Sequence, residues 1–376
     1  MPRRIALFTG NYNHIADGVS LTLNRLVAYL QQQGVEVRVF APTVQSPPVK
    51  HNGKLLEVPS IAAPGRPEYR VALFFPLHLR QYLLAFNPDI VHIATPDILG
   101  LHALLTARRS GYPVVSSFHT NFASYLKYYR LGMLEPLLWQ YLRWYYRSCQ
   151  QLLVPTESMK QELINHRVET EFGIWARGVE TDTFHPEKSN PEWRRALGIQ
   201  SDDIVLLFVS RLVWEKNLEA VIEVFSAYQE SEPGVQTVVV GGGPALEAMK
   251  AALPQTCFTG SLHGEDLAEV YASADVFFFP SDTETFGNVT LEAMASGLPV
   301  VGADAAGNRS LVSHGVNGYL APASDTSEYL RKIDAIKTDH ALRSTMAAES
   351  RKLAESYDWS NVMQELMKQY KIVLKR

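Results

Sequence analysis

The strongest constraint on the fold is an alternation of short apolar runs with amphipathic stretches, which begins at residue 5 and starts afresh near residue 204. Residues 5–9 read as a buried strand, 10–18 as a loop, and 19–33 as an amphipathic helix closed by Gly34 ahead of a second strand over 36–40. Further strands are expected at 89–94, 114–118 and 152–155, with one helix inside 98–110 and another opening at Thr156-Glu-Ser158. Turn residues then crowd into 174–186 and 188–191, which marks a domain boundary. A short helix over 193–197 leads to a second series: strand 204–210, helix 217–229, strand 237–240, helix 266–272, and the apolar run Asp275-Val-Phe-Phe-Phe-Pro280. Helices over 325–336, 340–356 and 359–375 end the chain. Strands alternating with helices in this way predict an α/β class, two doubly wound Rossmann-like domains with ligand loops at the carboxyl ends of their strands. At 376 residues the chain is too long for one typical domain.

Charge divides the two halves. Residues 1–180 carry 18 Lys+Arg against 12 Asp+Glu, a balance of +6, and residues 181–376 carry 17 against 27, a balance of −10. With 46% hydrophobic and 20% charged residues, the chain is expected to be an ordinary globular protein with ample core. Its acidic second half argues against a nucleic-acid partner. Cys149 and Cys257 are its two cysteines and lie far apart, so a disulfide framework is not expected and a reducing compartment fits. Neither a signal peptide nor an apolar run of about 18 residues is evident, so a cytoplasmic location is expected. Between residues 118 and 147 lie ten aromatics among Lys127, Arg130, Arg143 and Arg147. Such a stretch suits a membrane interface, with Tyr125, Lys127, Tyr128 and Arg130 meeting anionic lipid, and equally a Trp/Tyr-rich core helix with snorkelling cations.

Three features carry chemistry. Arg211 and Lys216 fall in a loop at the carboxyl end of a parallel strand, where two cations suit a diphosphate. Gly241-Gly-Gly-Pro244 is a glycine loop that permits close backbone approach. Glu284-Thr-Phe-Gly-Asn-Val-Thr-Leu-Glu292 follows a buried strand and runs into a helix, so two carboxylates flank a helix start whose first-turn amides lack intrahelical partners. On its own the stretch reads as an ordinary helix with a favourable acid near its N-terminus. In the first half, Asp17-Gly18-Val19-Ser20 puts a single glycine at a helix start with Ser20 as the expected cap, and the dinucleotide fingerprint G-x-G-x-x-G is missing there.

Taken together, these residues resemble family 4 glycosyltransferases of the GT-B fold, retaining enzymes that use nucleotide sugars. The resemblance spans essentially the whole chain. It rests on E-x7-E from Glu284 to Glu292 with the following Ala-Met-Ala-Ser-Gly297, on Ser210-Arg211 with Lys216, on Gly241-Gly-Gly-Pro244 and on Val316-Asn-Gly-Tyr319. Phe118-His-Thr-Asn-Phe-Ala-Ser-Tyr125 and Trp175-Ala-Arg-Gly-Val-Glu180 are similar to the branch of GDP-mannose-dependent α-mannosyltransferases and of sulfoquinovosyl- or glucuronosyl-type lipid glycosyltransferases. What the resemblance implies is two facing domains with an interdomain cleft: an acceptor domain over 1–180, a donor domain over 181–358, and a C-terminal helix over 359–376 crossing back to the first. It implies that Arg211 and Lys216 neutralise the donor diphosphate, Glu292 accepts from the ribose, and Glu284 accepts from hydroxyls of the transferred sugar. Amides of Phe286, Gly287 and Asn288 would fix sugar and phosphate, Gly243 would line the donor site, Gly18 would approach the phosphates, and His119 would sit beside the reacting sugar. Relatives often carry two adjacent glycines where this chain has Asp17-Gly18, which opens a role for Asp17 as acceptor-side base.

The expected reaction is transfer of a hexose, mannose from GDP-mannose, to a lipid-linked or saccharide acceptor with the α configuration kept, by front-face attack and with no metal or other cofactor. Asp-x-Asp is missing from the strand ends, and Glu180-Thr-Asp182 lies in the linker. A UDP-sugar-dependent glycolipid glycosyltransferase is the alternative, with peripheral attachment to the inner face of the plasma membrane. Two other classes share parts of the pattern. A non-hydrolysing sugar-nucleotide epimerase has a similar fold but no acceptor, and a two-domain solute-binding protein needs an export signal.

Overall fold

The computed structural model describes residues 2–63, 66–119, 132–231 and 234–375. The chain divides into two compact units, one made of Met1–Ala176 with Val362–Arg376 and the other of Arg177–Asn361.

Unit 1 is built on strands β1 (Arg4–Phe8), β2 (Glu36–Ala41) and β3 (Lys54–Glu57), a hairpin of β4 (Ser60–Ala63) and β5 (Arg66–Ala72), then β6 (Ile90–Ile93), β7 (Val114–Ser117), β8 (Gln151–Val154) and β9 (Phe172–Ile174). Seven of them form one sheet in the order β3-β2-β1-β6-β7-β8-β9, parallel throughout, and β4 pairs antiparallel with β5. The order turns back between β1 and β6, the arrangement of a doubly wound sheet. β6, β7 and β8 are buried along their whole length, because helices cover both faces and leave no reason for polar alternation. The last helix, Trp359–Leu374, docks on this sheet from Val362 onward: Gln369 Oε1 accepts from Gln151 Nε2 at 2.8 Å, and a Cβ on Gly173 would lie 2.6 Å from that same oxygen.

Unit 2 repeats the plan with β10 (Ile204–Val209), β11 (Val235–Val240), β12 (Cys257–Gly260), β13 (Val276–Phe279), β14 (Val300–Ala303) and β15 (Gly318–Ala321). Its six parallel strands run in the order β12-β11-β10-β13-β14-β15. The order turns back between β10 and β13, both of them buried along their whole length. In the Val316-Asn-Gly-Tyr319 motif the side chains are structural. Asn317 Nδ2 donates to Leu311 O, and a Cβ on Gly318 would lie 2.1 Å from Val300 O, so only glycine lets β15 enter beside β14.

The aromatic helix Glu135–Arg147 packs as a core helix over its second half. Trp139, Leu142, Tyr145 and Tyr146 are buried, and the Trp139 indole stacks on the His166 ring at 3.9 Å. Burial thus claims Phe118, Trp139, Tyr145 and Tyr146 of the aromatics assigned by sequence to either core or membrane, while Met133, Leu137 and Trp144 stay exposed. Tyr125, Lys127, Tyr128 and Arg130 lie outside the described residues. Among the described residues no helix is long and apolar enough to cross a membrane.

Candidate active site

In unit 2 the site grows from the point where the strand order turns back. Open α/β sheets bind ligands outside the carboxyl ends of the strands at such a point. The loops that leave β10 and β13 here, residues 210–217 and 280–287, are sewn together by polar side chains. Asn217, in the left-handed region at φ 57°, donates through Nδ2 to Pro280 O at 3.1 Å and to Ala323 O at 2.9 Å. Thr283 Oγ1 donates to Glu215 O at 3.1 Å. Between these stitches the Lys216 ammonium donates to Glu284 Oε1 in an ion pair whose side chains are only 16% and 22% exposed. Two charges held this far from water depend on one another, since removing either leaves the other poorly solvated. Among the described residues Glu284 Oε2 has no further partner. The loop after β14 supports the acid from behind. A Cβ on Gly307 would lie 2.7 Å from Glu284 Cβ and 2.8 Å from its carbonyl oxygen, a contact that only glycine tolerates.

Three residues further on, Gly287 at φ 100° turns the chain into the helix Asn288–Ala295, whose start no side chain caps. Its first-turn amides therefore remain available to an anionic or hydroxylic ligand. Phe286 is buried edge-on against Tyr357 with ring centroids 5.8 Å apart, which fixes the entry of the turn, and Asn288 is exposed. Buried Asn308 ties this helix to the sheet, accepting from Thr290 Oγ1 at 3.2 Å while donating to Ala303 O at 3.1 Å.

Glu292 sits inside the helix, half-buried, and its Oε2 lies 3.3 Å from the buried Tyr271 hydroxyl, whose one hydrogen is shared with Val289 O at 3.2 Å. Burial and the Glu292 carboxylate together hold the Tyr271 phenol well above its usual pKa, so it stays protonated and donates. On the expectation that Glu292 accepts from the donor ribose, Tyr271→Phe removes the hydroxyl that orients it, and about 1.5 kcal/mol of orientation lost at a charged acceptor corresponds to donor binding weakened about ten-fold. Titration calorimetry against a nucleoside diphosphate sugar checks this.

Arg211 lies exposed two residues beyond β10. The neighbouring glycine loop differs from the expectation in what it approaches. A Cβ on Gly241 would lie 1.8 Å from Ser210 O, and one on Gly243 2.4 Å from Leu212 O, both at positive φ. The close approach is to the chain's own backbone, which lets Leu212 N donate to Gly242 O at 2.9 Å and sets the path of the Arg211 loop.

In unit 1, Asp17 and not Ser20 caps the first helix, Gly18–Gln32. Asp17 Oδ1 accepts from Ser20 N at 2.8 Å, and Ser20 Oγ accepts in return from Asp17 N at 3.0 Å, a reciprocal capping box. Asp17 Oδ2 accepts from Asn11 Nδ2 at 2.8 Å, so both carboxylate oxygens serve the local fold. Gly18 is the exposed first helical residue. His119, just past β7, is buried. Its Nε2 lies 2.9 Å from Ser117 Oγ, and its ring meets the Trp175 ring edge-on at 5.3 Å.

The structure thus gathers Lys216, Glu284, Phe286, Gly287, Asn288 and Glu292 around one turn of unit 2, with Arg211 on the adjoining loop. Tyr271, Asn217, Gly307 and Asn308 complete that arrangement without having been picked out from the sequence as functional. Their signal is weak there, since each acts through a partner far along the chain.

Comparison with known proteins follows the same division. The family model described as Glycosyltransferase Family 4 matches residues 16–183, and that described as Glycosyl transferases group 1 matches residues 189–353. A GDP-mannose-dependent alpha-mannosyltransferase of Corynebacterium glutamicum is 30% identical over 377 residues, covering 99% of this chain and 90% of the relative. Sulfoquinovosyl transferase SQD2 of Arabidopsis thaliana is 29% identical over 369 residues, covering 95% and 71%. Among solved structures, sucrose-phosphate synthase from Thermosynechococcus elongatus matches with a TM-score of 0.79 at 18% identity, covering 99% of each chain.

Proposed function

The chain belongs to glycosyltransferase family 4, with the GT-B fold, and from that premise we propose that it moves mannose from GDP-mannose to a lipid-linked or saccharide acceptor with retention of the α configuration. The observation that carries the reading is the Lys216–Glu284 pair beside an uncapped helix start, with Glu292 deeper in the same helix. Cleavage of the donor's glycosidic bond builds positive charge on the sugar and negative charge on the departing diphosphate. Cations that hold the leaving group therefore stabilise the transition state more than the ground state. Arg211 and Lys216 fill that role, and with two cations in place no metal is required. Glu284 accepts from sugar hydroxyls through the oxygen not engaged by Lys216, Glu292 accepts from the ribose, and amides at Phe286, Gly287 and Asn288 hold sugar and phosphate. Gly243 shapes the donor loop, Gly18 approaches the phosphates, and His119 sits beside the reacting sugar. The acceptor attacks from the face the diphosphate leaves, and a phosphate oxygen takes its proton.

The similarity to a sulfoquinovosyl transferase over 95% of the chain favours a second reading, a UDP-sugar donor with a glycolipid product. Both readings place the enzyme at the cytoplasmic surface of a membrane, supported by the basic first half and by exposed Met133, Leu137 and Trp144. A donor panel separates them. GDP-mannose, UDP-glucose and related donors are incubated with lipid and saccharide acceptors in buffer containing EDTA, and the product anomer is read by NMR. The expected result is an α-mannoside from GDP-mannose alone. An α-glycoside from a UDP-sugar selects the second reading, and activity that returns only with Mg²⁺ removes the metal-independent mechanism.

A further inference from the structure

Four buried side chains of unit 1 form a hydrogen-bonded line that donor binding does not explain. Tyr370 OH lies 2.6 Å from His92 Nδ1, His92 Nε2 lies 2.9 Å from Ser117 Oγ, and Ser117 Oγ lies 2.9 Å from His119 Nε2. His92 is on β6, Ser117 on β7 and Tyr370 on the last helix, and the Trp175 ring packs edge-on against both imidazoles. His92, Ser117 and Tyr370 are at most 1% exposed.

Proton counting fixes the direction of the line. The phenol and the serine hydroxyl each have one hydrogen, and a neutral imidazole carries one N–H and one acceptor nitrogen. Burial pushes His92 down to about 3, so it is neutral at physiological pH. Three arrangements are then possible. In the first, Tyr370 donates to His92 Nδ1, His92 Nε2–H donates to Ser117, and Ser117 donates to His119 Nε2. In the second every bond reverses, and the Tyr370 hydrogen is left pointing at no acceptor. In the third Ser117 accepts from both imidazoles, and its own hydrogen is left without an acceptor. Among the described residues neither Tyr370 OH nor Ser117 Oγ has another hydrogen-bond partner. A buried donor without an acceptor is costly, which selects the first arrangement.

We propose that Tyr370, His92 and Ser117 are positioning residues that hold His119 as the neutral tautomer protonated on Nδ1, so that it meets the reacting sugar as a hydrogen-bond donor. The functional half of this statement rests on the proposed place of His119 beside the sugar. One consequence concerns the acceptor's proton. The Nε2 lone pair of His119 already accepts from Ser117, and the Nδ1 that meets the sugar already carries its hydrogen. His119 is therefore not the general base, in keeping with proton transfer to a donor phosphate oxygen.

The test is long-range ¹H–¹⁵N NMR of the full chain labelled with ¹⁵N-histidine, with His119 assigned by its loss in His119→Gln and His92 by its loss in His92→Gln. In the unsubstituted protein His119 is expected as the Nδ1–H tautomer and His92 as the Nε2–H tautomer. Tyr370→Phe removes the donor that sets the direction, so both rings become tautomer mixtures. Turnover then falls about ten-fold with donor KM unchanged, the equivalent of one oriented hydrogen bond. Ser117→Ala uncouples the rings, moving His119 toward Nε2–H and leaving His92 neutral. An Nε2–H His119 in the unsubstituted protein overturns the proposal, as does a Tyr370→Phe spectrum with both tautomers unchanged. If Tyr370→Phe does not fold, the unsubstituted and Ser117→Ala spectra still decide. The tautomers are read without donor or acceptor, so a wrong donor assignment, which shows as no turnover in the unsubstituted protein, is distinguishable from a wrong relay.

Discussion

Glu284→Gln is expected to lower kcat by about 10²–10³ while leaving donor affinity nearly unchanged, the loss typical of one preorganised group aimed at a transition state. The substitution is nearly isosteric, and the Gln carbonyl oxygen can still accept from the Lys216 ammonium, so the pair's geometry and the fold should survive. What disappears is the negative charge facing a sugar that becomes cationic as its bond to the diphosphate breaks. The position facing the sugar becomes an amide NH2, which donates to hydroxyl oxygens where the carboxylate accepted from hydroxyls, so a ground-state contact is kept with its direction reversed. Because the acid is assigned to hydroxyls and not to bond formation, mass spectrometry of enzyme quenched during turnover should show no sugar attached to residue 284. A glycosyl adduct on Glu284 would replace front-face attack with double displacement.

Lys216→Met should be the more damaging change. It removes a cation from the leaving group, about 10²–10³ in rate by itself, and it leaves the 22%-exposed Glu284 carboxylate without its partner. We therefore expect both a higher donor KM and a lower kcat, together with a reduced unfolding temperature that Glu284→Gln does not share. Combining Lys216→Met with Glu284→Gln should restore part of the stability and slow the reaction little beyond Lys216→Met. Residues acting as a unit are not additive. Full additivity in rate and stability would mean that the pair is incidental. Steady-state kinetics and thermal denaturation of the three variants check both points.

The sequence made legible the buried strands β1, β6, β7, β8, β10 and β13. The runs at β10 and β13 are uninterrupted apolar segments, bounded by turn residues at a length that suits strands better than helices. It was silent about β3, β4 and β5, whose residues are largely half-buried or exposed, and about β9, β12, β14 and β15, short strands that each contain a glycine. At the candidate site the residue types were visible, but their pairing was not. Lys216 and Glu284 are 68 residues apart, and Tyr271 reaches Glu292 across 21. Only the strand order β10-β13 brings the two loops together, and that order follows from packing and not from any local signal. The cap of the first helix shows the opposite difficulty. Asp17 and Ser20 both favour helix starts, and the choice between them depended on Asn11, which donates to Asp17 from the preceding loop.

Labour is divided along one helix start in the proposed mechanism, Glu292 for binding the donor and Glu284 for turning it over. Donor titration and single-turnover kinetics of Glu292→Gln test it most directly, measured beside Glu284→Gln on the same preparation. Glu292→Gln is expected to raise the donor Kd about ten-fold or more, through the loss of charge-assisted bonds to the ribose, and to change the rate of the bound complex by no more than a few fold. A Glu292→Gln enzyme that binds donor as tightly as the unsubstituted protein but turns it over slowly would contradict it.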